Sequence, residues 1–318
     1  MSDLSIAPDV LKTWLKSRAL ELGFDDIGFA DASKTTPHGK AFLHYMEEGR
    51  HGPLDYMERT QDVRADIQNF LPGARSVIML VKNYFRGHHE DSATQPAEQG
   101  AKVARYAWGK DYHNWFKKRL RKLRIEFLQK AGANADARVF CDTSPVLERS
   151  WAAAAGLGFI GKSNLFIHRR YGTWTFLGGM VCNQAFAPDK PAPTSLCGSC
   201  TACLDACPTG ALIGPRQLDA RKCLTTWNVE RPWLQDADAF DGHGWAVGCD
   251  ICQEVCPWNK FENLTNEPHF DPLPGHQFLT TQTVPSDANA LIGTPLLRPG
   301  RHGLLKIVER TRIKIETR

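Results

Sequence analysis

The stretch Cys197-Gly198-Ser199-Cys200-Thr201-Ala202-Cys203-Leu204-Asp205-Ala206-Cys207-Pro208 decides how this chain is read. Its four cysteines stand at C-x2-C-x2-C-x3-C and are closed by a proline. A second run, Cys249, Cys252 and Cys256, stands at C-x2-C-x3-C and is closed by Pro257, with a lone Cys223 between the two runs. Eight of the ten cysteines therefore fall into one pattern. Thiolates are soft, anionic ligands that suit iron. Short spacers let consecutive thiolates wrap one cubane, and a proline ends each wrap with a fixed φ.

This is the ligand spacing of a bacterial two-cluster ferredoxin, in which the last cysteine of each run crosses to the other cluster. The second run lacks its first cysteine: three places before Cys249 stands Ala246, which cannot ligate iron. Cys223 is the nearby substitute. The expectation is two [4Fe-4S] clusters, one held by Cys197, Cys200, Cys203 and Cys256, the other by Cys207, Cys223, Cys249 and Cys252. Zinc would favour isolated C-x2-C pairs. A disulfide framework belongs to short secreted chains rather than to one of 318 residues without a secretion signal.

That length suggests two or three domains, and a hydrophobic content of 42% supports an ordinary core. Met1 to Ala7 carries neither a basic n-region nor a twin-arginine pair, and no long apolar segment follows. The run Val77 to Val81 is far too short to span a bilayer. A soluble, cytoplasmic protein without membrane association is expected. The net charge of +4 does not by itself announce a nucleic-acid binder.

Asp9 is expected to cap a helix reaching Leu22, with Leu11, Leu15 and Leu22 on one face and Gly23 as its stop. Val77 to Val81 reads as a buried strand. Gly87 to Gly100, with His88 and His89, reads as an exposed loop. From Asp111 to Lys130, Phe116, Leu120, Leu123 and Phe127 recur on one helical face. The rest of that helix is basic: Lys117, Lys118, Arg119, Arg121, Lys122 and Arg124. Such a face is either solvated or a contact for nucleic-acid phosphates. Val139 to Cys141 reads as a short strand delivering Asp142, and Ser144-Pro145 as the N-cap and first residue of a following helix. In an open α/β sheet, ligands collect beyond the carboxyl ends of strands, where Asp142 would stand. Gly156, Gly158 and Gly161 could admit a ligand close to the backbone. Thr173 to Phe176 reads as another strand. Pro188, Pro191 and Pro193 mark a linker, and a basic tail, Arg301 to Arg318, closes the chain.

Six segments carry a resemblance to a known family: His51-Gly52-Pro53-Leu54-Asp55-Tyr56-Met57; Arg105-Tyr106-Ala107-Trp108-Gly109-Lys110-Asp111-Tyr112-His113; Asp142-Thr143; Ala155-Gly156-Leu157-Gly158-Phe159-Ile160-Gly161-Lys162; Cys207-Pro208-Thr209-Gly210-Ala211; and Gly248-Cys249-Asp250-Ile251-Cys252-Gln253-Glu254-Val255-Cys256-Pro257-Trp258-Asn259. Over roughly residues 10 to 305 the chain resembles the epoxyqueuosine reductases, cobalamin-dependent enzymes of tRNA queuosine synthesis. The resemblance implies an α+β protein. An α/β cobalamin-binding domain like the core of reductive dehalogenases would occupy 1–186, a ferredoxin-like domain with two [4Fe-4S] clusters 187–265, and a short extension 266–318. It implies reduction of the epoxide at the tRNA wobble position, with Asp142 as proton donor and an external low-potential electron donor feeding the clusters. Arg64, Arg105, Tyr106, Asp142, Lys162, Thr225 and Asp250 would face the cofactor. Thr226-Trp227-Asn228 departs from the family pattern after Cys223, and the basic tail stands where many members continue into helical repeats.

Neither Asp111-Tyr112-His113 nor Asp241-Gly242-His243 completes the D-x-H-x-x-G motif that offers cobalt a lower histidine, because Phe116 and Ala246 stand where glycine is needed. This fits the family's base-off cobalamin. Two other readings stay open at this point. A pure ferredoxin-type electron carrier needs only the clusters. A corrinoid and iron–sulfur reductase of a small molecule needs no RNA surface. Asp142 also carries a tension: a helix N-terminus nearby favours its carboxylate, whereas an acid must hold its proton.

Overall fold

The computed structural model describes residues 6–33, 35–91, 100–191, 195–231, 241–260, 262–300 and 303–309. Its centre is β2 (Ser76–Asn83), buried at every position. Alternate side chains of a strand point to opposite faces. Ile78 and Leu80 therefore enter one core, and Val77, Met79 and Val81 another. β2 pairs with β1 (Asp26–Asp31) on one side and β7 (Thr175–Cys182) on the other, and β4 (Ala137–Phe140) closes the order β1-β2-β7-β4. All three pairings are antiparallel. The sheet is thus wholly antiparallel. A strand buried on both faces reads as a continuous apolar run whichever way its neighbours point.

Helix α1 (Pro8–Glu21) and helix α5 (Tyr112–Ala131) cover the first face. Pro8, not Asp9, opens α1, because a proline at the first helical position loses no hydrogen bond; Ala19 rather than Leu22 completes its buried stripe. α5 buries Trp115, Phe116, Leu120, Leu123 and Phe127, is capped by Asp111, and ends where Gly132 turns to φ 97°. Lys117, Lys118, Arg121 and Lys122 are exposed on its outer side. Arg119 stacks on Trp115 at 3.9 Å and donates to the Leu22 carbonyl, and Arg124 donates to Ala137 O, so these two bind the protein itself.

The second face is covered by α6 (Glu148–Ala154), with Trp151 and Ala152 in its core, and by the segment containing Ile67 and Phe70. α6 starts three residues later than Ser144-Pro145 predicts. The Glu148 carboxylate takes the Asp142 N–H at 2.6 Å and folds residues 142–147 into a turn. Short helices α2 (Gly39–Glu47), α3 (Asp55–Arg59) and α4 (Gln61–Ala65) flank this side. The hairpin β5–β6 (Gly158–Ile160, Phe166–His168) follows α6. Its glycines are crowded by the chain itself: a Cβ at Gly158 would lie 2.2 Å from Ile167 O, and one at Gly156 2.6 Å from Lys190 O. They admit neighbouring backbone rather than a ligand. The proline segment begins pinned, since Asp189 pairs with Lys12 at 2.9 Å and its N–H donates to Phe29 O; Pro193 lies outside the described residues.

The cysteine-rich part carries α7 (Ala202–Asp205), the hairpin β8–β9 (Leu212–Gly214, Gln217–Leu218) and α8 (Ile251–Glu254). A second sheet joins strands far apart in the sequence. β3 (Ala101–Val103) pairs in parallel with β10 (Trp245–Val247) and antiparallel with β11 (Phe278–Leu279). A core of Val103, Trp108, Val247, Leu279, Leu296 and Ile307 packs around it. His89, expected in an exposed loop, is 1% exposed here: its Nε2 meets Val103 O at 2.9 Å and its ring lies edge-on to Trp108 and Trp245. His88 is exposed. Residues 92–99 of that loop, and the basic tail beyond residue 309, lie outside the described residues.

Candidate active site

The eight patterned cysteines fall into two groups in space. The Cys256 thiol is pushed up by burial and by Cys197, Cys203 and Cys200 beside it, and the Cys203 thiol by burial and by Cys197 and Cys200. Cys252 feels Cys249, Cys223 and Cys207, and the Cys249 thiol is pushed up to about 12 by burial and by Asp250, Cys223 and Cys207. α7 and α8 pack together, bringing the two runs into register. Backbone N–H groups face the sulfurs. Lys162 N stands 3.5 Å from Cys197 Sγ, Thr225 donates to Cys223, and Leu212, Thr209 and Ala211 donate to Cys207. Donors of this kind favour thiolate over thiol, as cluster ligation requires. Two sets of four thiols, each supplied with N–H donors, fit two [4Fe-4S] clusters. Among the described residues, no three His, Cys, Asp or Glu side chains converge on a single metal-ion position. Cys141 and Cys182 are buried away from both sets.

Several other sequence candidates serve this module. Lys162 Nζ donates to Gly198 O at 2.8 Å and Cys200 O at 2.9 Å, closing the loop of the first set. Arg105 and Asp250 form an ion pair whose side chains are each 1% exposed. Arg105 Nη1 reaches Asp250 Oδ2 at 3.1 Å and Glu254 Oε1 at 2.7 Å, its Nε donates to Gly87 O at 3.0 Å, and the guanidinium lies over Trp108 and Trp174. Asp250 stands between Cys249 and Cys252, so the pair clamps the second thiol set to the segment after β3. Gly248, at φ 66°, permits the approach: a Cβ there would sit 2.6 Å from Ala104 Cβ and 3.0 Å from the Tyr106 ring.

Tyr106 leads from that set to Asp142. It packs against the cluster of Ala104, Leu224 and Trp245, as Cys249 does, and its hydroxyl is pushed up by burial and by Glu230, Asp250 and Asp142. Tyr56 is pushed up to about 12 by burial and by Glu230, with Arg64 and Asp142 also near. Arg64 lies over the Tyr56 ring at 5.8 Å, its guanidinium pushed down by desolvation. The Asp142 side chain is 50% exposed and Arg149 is exposed. Tyr106, Tyr56, Arg64 and Arg149 all lie within electrostatic reach of Asp142, and the two tyrosines and Arg64 fit a large flat cofactor.

Asp142 follows the end of β4 with φ 51°, a left-handed backbone that sets the direction of its carboxylate. Its Oδ2 meets His113 Nε2 at 3.0 Å, and His113 Nδ1 meets Asp111 Oδ1 at 2.7 Å. Burial alone would lower His113, but the two carboxylates outweigh it and hold the imidazolium up to about 9. Burial would raise Asp142, but the hydrogen bond and charge of His113, with Arg298 and the Tyr112 hydroxyl, hold it below the ordinary carboxylate range. Glu148 goes the other way: burial and the charge of Asp142 push it up to about 8.

Comparison with known proteins places the chain in a family. The family model "Epoxyqueuosine reductase QueG, DUF1730" matches residues 64–143, and the "4Fe-4S double cluster binding domain" model matches residues 196–259, which hold all eight patterned cysteines. The epoxyqueuosine reductase of Cyclobacterium marinum is 36% identical over 262 residues, covering 81% of this chain and 82% of that one. The chain belongs to the epoxyqueuosine reductase family. A solved epoxyqueuosine reductase with an epoxyqueuosine-modified tRNA-Tyr stem loop superposes with TM-score 0.82 at 26% identity, covering 96% of this chain and 81% of that one. The epoxyqueuosine reductase of Bacillus subtilis, solved with its catalytic aspartate loop swung out of the active site, gives TM-score 0.81 at 26% identity, covering 96% and 82%.

Sequence reasoning did not assign His113, Glu148, Glu230 or Arg298 to the site of this epoxyqueuosine reductase. His113 was visible only as the end of an incomplete cobalt-ligand motif. Glu148 had a local signal, an acidic residue six places after Asp142 within the turn it organises. Arg298 meets Glu230 at 2.5 Å from a segment 156 residues beyond Asp142, and no sequence pattern links them.

Proposed function

We propose that this chain reduces the epoxide of epoxyqueuosine in tRNA to the cyclopentene of queuosine, with Asp142 giving the proton to the departing oxygen. The observation that carries this reading is the position of Asp142. It is within electrostatic reach of Tyr106, which is also within reach of Asp250 in the second cysteine run. Cobalamin, when bound, supplies the two-electron reducing chemistry that opens the epoxide. Tyr106, Tyr56 and Arg64 would hold it; Arg105, Asp250, Thr225 and Lys162 support the route to it by fixing the thiol loops. Cys197, Cys200, Cys203 and Cys256 would hold one [4Fe-4S] cluster, and Cys207, Cys223, Cys249 and Cys252 the other. When bound, these supply single electrons taken from an external low-potential donor. The work divides into a catalytic part over 1–186, a cluster part over 187–265 and an extension over 266–318, of which β11 pairs with β3.

The tRNA would lie along α5. Its N-terminus carries His113 beside Asp142, and its outer face presents Lys117, Lys118, Arg121 and Lys122, which can neutralise backbone phosphates. No helix among the described residues is long and apolar enough to cross a membrane, and we place the reaction in the cytoplasm, with tRNA.

The test is single-turnover queuosine formation on epoxyqueuosine-containing tRNA, read by mass spectrometry of digested tRNA with cobalamin occupancy checked alongside. The reconstituted protein is expected to form queuosine. Asp142→Asn is expected to bind cobalamin and lose ~10²–10⁴-fold in rate, the usual worth of a general acid. No queuosine from the loaded wild type would overturn the function. Near-normal turnover by the Asn variant would remove Asp142 as the acid.

A further inference from the structure

The reaction proposed above sets a proton count that one carboxyl cannot meet. An epoxide, two electrons and two protons give an alkene and water: two C–O bonds break, the second bond of C=C forms, and the oxygen leaves with both protons. The electrons come from the low-potential donor. A single carboxyl carries one proton, so Asp142 must be reloaded within a turnover.

The geometry supplies a group for this. His113 stands between two carboxylates, Nε2 at 3.0 Å from Asp142 Oδ2 and Nδ1 at 2.7 Å from Asp111 Oδ1. Asp111 is itself fixed, because the same Oδ1 accepts the His113 backbone N–H at 2.8 Å as the cap of α5. The ring plane is held by stacking. Tyr112 lies on His113 at 4.1 Å, Phe176 on Tyr112 at 4.1 Å and 7°, and Tyr84 on Phe176 at 4.3 Å. The His113 side chain is 20% exposed, so the ring can regain a proton from water.

Resting on the function proposed above, we propose that His113 is the positioning residue that reloads Asp142. Its Nε2–H bond breaks as an O–H bond forms at Asp142 Oδ2, and that O–H bond breaks in turn as the proton passes to the substrate oxygen. His113 is left neutral with its remaining proton on Nδ1, the tautomer that Asp111 accepts from. Water then restores the imidazolium for the second proton. This resolves the tension at Asp142: the resting carboxylate need not store a proton, because the ring beside it does.

The charged surroundings are those of a proton relay. Asp111, Asp142 and Glu148 face His113, with Tyr112 stacked on the ring and Lys117 beyond Asp111. Arg298 faces Asp142, with Glu230 beside it. Glu148 is the rival reservoir, since its carboxyl contacts the Asp142 backbone N–H.

The experiment is the pH profile of single-turnover queuosine formation by the reconstituted protein, for wild type, His113→Gln, Asp111→Asn and Glu148→Gln. Iron content and tRNA affinity verify each variant. Wild type is expected to slow as pH rises through about 9, where His113 loses its proton. His113→Gln keeps a hydrogen bond to Asp142 but has no proton to give. It is expected to be slower by ~10²-fold at neutral pH, with unchanged tRNA affinity and no alkaline limb at that position. Asp111→Asn still caps α5 but holds the imidazolium less well, so the limb moves to lower pH. A uniformly slower His113→Gln that keeps the wild-type limb would make the ring a structural prop and overturn the relay. A limb that disappears in Glu148→Gln and survives in His113→Gln would overturn it in favour of Glu148. Wild type inactive at every pH would refute the function itself, a different outcome from either.

Discussion

Replacing Arg105 with methionine tests how the second thiol set is held. Methionine spans a similar length and keeps apolar contact with Trp108 and Trp174, but it removes the charge opposite Asp250. The carboxylate would keep the Arg105 backbone N–H at 2.8 Å and Gln253 Nε2 at 3.0 Å, and lose its guanidinium. Gly87 O and Glu254 would lose a donor as well. Removing one partner of a buried pair costs ~3–5 kcal/mol, and the two surviving donors put this case near the lower end, ~3 kcal/mol. That is a large share of the ~5–15 kcal/mol by which domains are stable. Because Asp250 lies between Cys249 and Cys252, the loss should fall on one cluster. Anaerobic reconstitution of Arg105→Met is expected to yield about four irons per chain where the wild type holds about eight, with a lower denaturation midpoint. Adding Asp250→Asn removes the orphaned charge and should recover most of the midpoint. Full iron and an unchanged midpoint in Arg105→Met would refute the clamp, as would a double variant less stable than the single one.

Cys223→Ala should also leave about four irons per chain, measured by iron and sulfide analysis, with the set built from Cys197 intact; survival of both clusters would break the crossover assignment. Reversing Lys117 and Arg121 to Glu is expected to weaken tRNA binding and flatten its dependence on salt, read by titration at several ionic strengths, with iron content unchanged. Arg124 is left out of that pair because its guanidinium is bound to Ala137 O.

The cluster module was legible because ligand spacing along the chain reports directly on which sulfurs can share a centre. The substitute Cys223 was found by elimination, and in space it does sit beside Cys207, Cys249 and Cys252. α5 was legible for a similar reason: Phe116, Leu120, Leu123 and Phe127 repeat at the helical period over about three turns. The direction of the strands was not legible, since Ser76–Asn83 carries apolar side chains to both faces and that pattern is blind to orientation. The start of α6 was misread because a side chain, Glu148, rather than the local Ser-Pro signal, decided where the helix begins. Half of the Asp142 environment was hidden in the same way. Its partners come from α5, from the segment holding Glu230 and from Arg298, elements that meet only when the sheets have assembled.

The left-handed backbone at Asp142 limits which amino acids this position can hold. Most residues pay roughly 1–2 kcal/mol in that conformation, whereas glycine is at ease there and asparagine and aspartate are tolerated through local side-chain hydrogen bonds. Of those three, aspartate alone is an acid. Glutamate would keep the chemistry but meet the full backbone penalty, and its extra methylene would carry the carboxyl past His113 Nε2. Glycine and asparagine are therefore the replacements this backbone takes most easily, and neither can give up a proton. One φ angle thus favours, at the same position, the residues that would end the reaction.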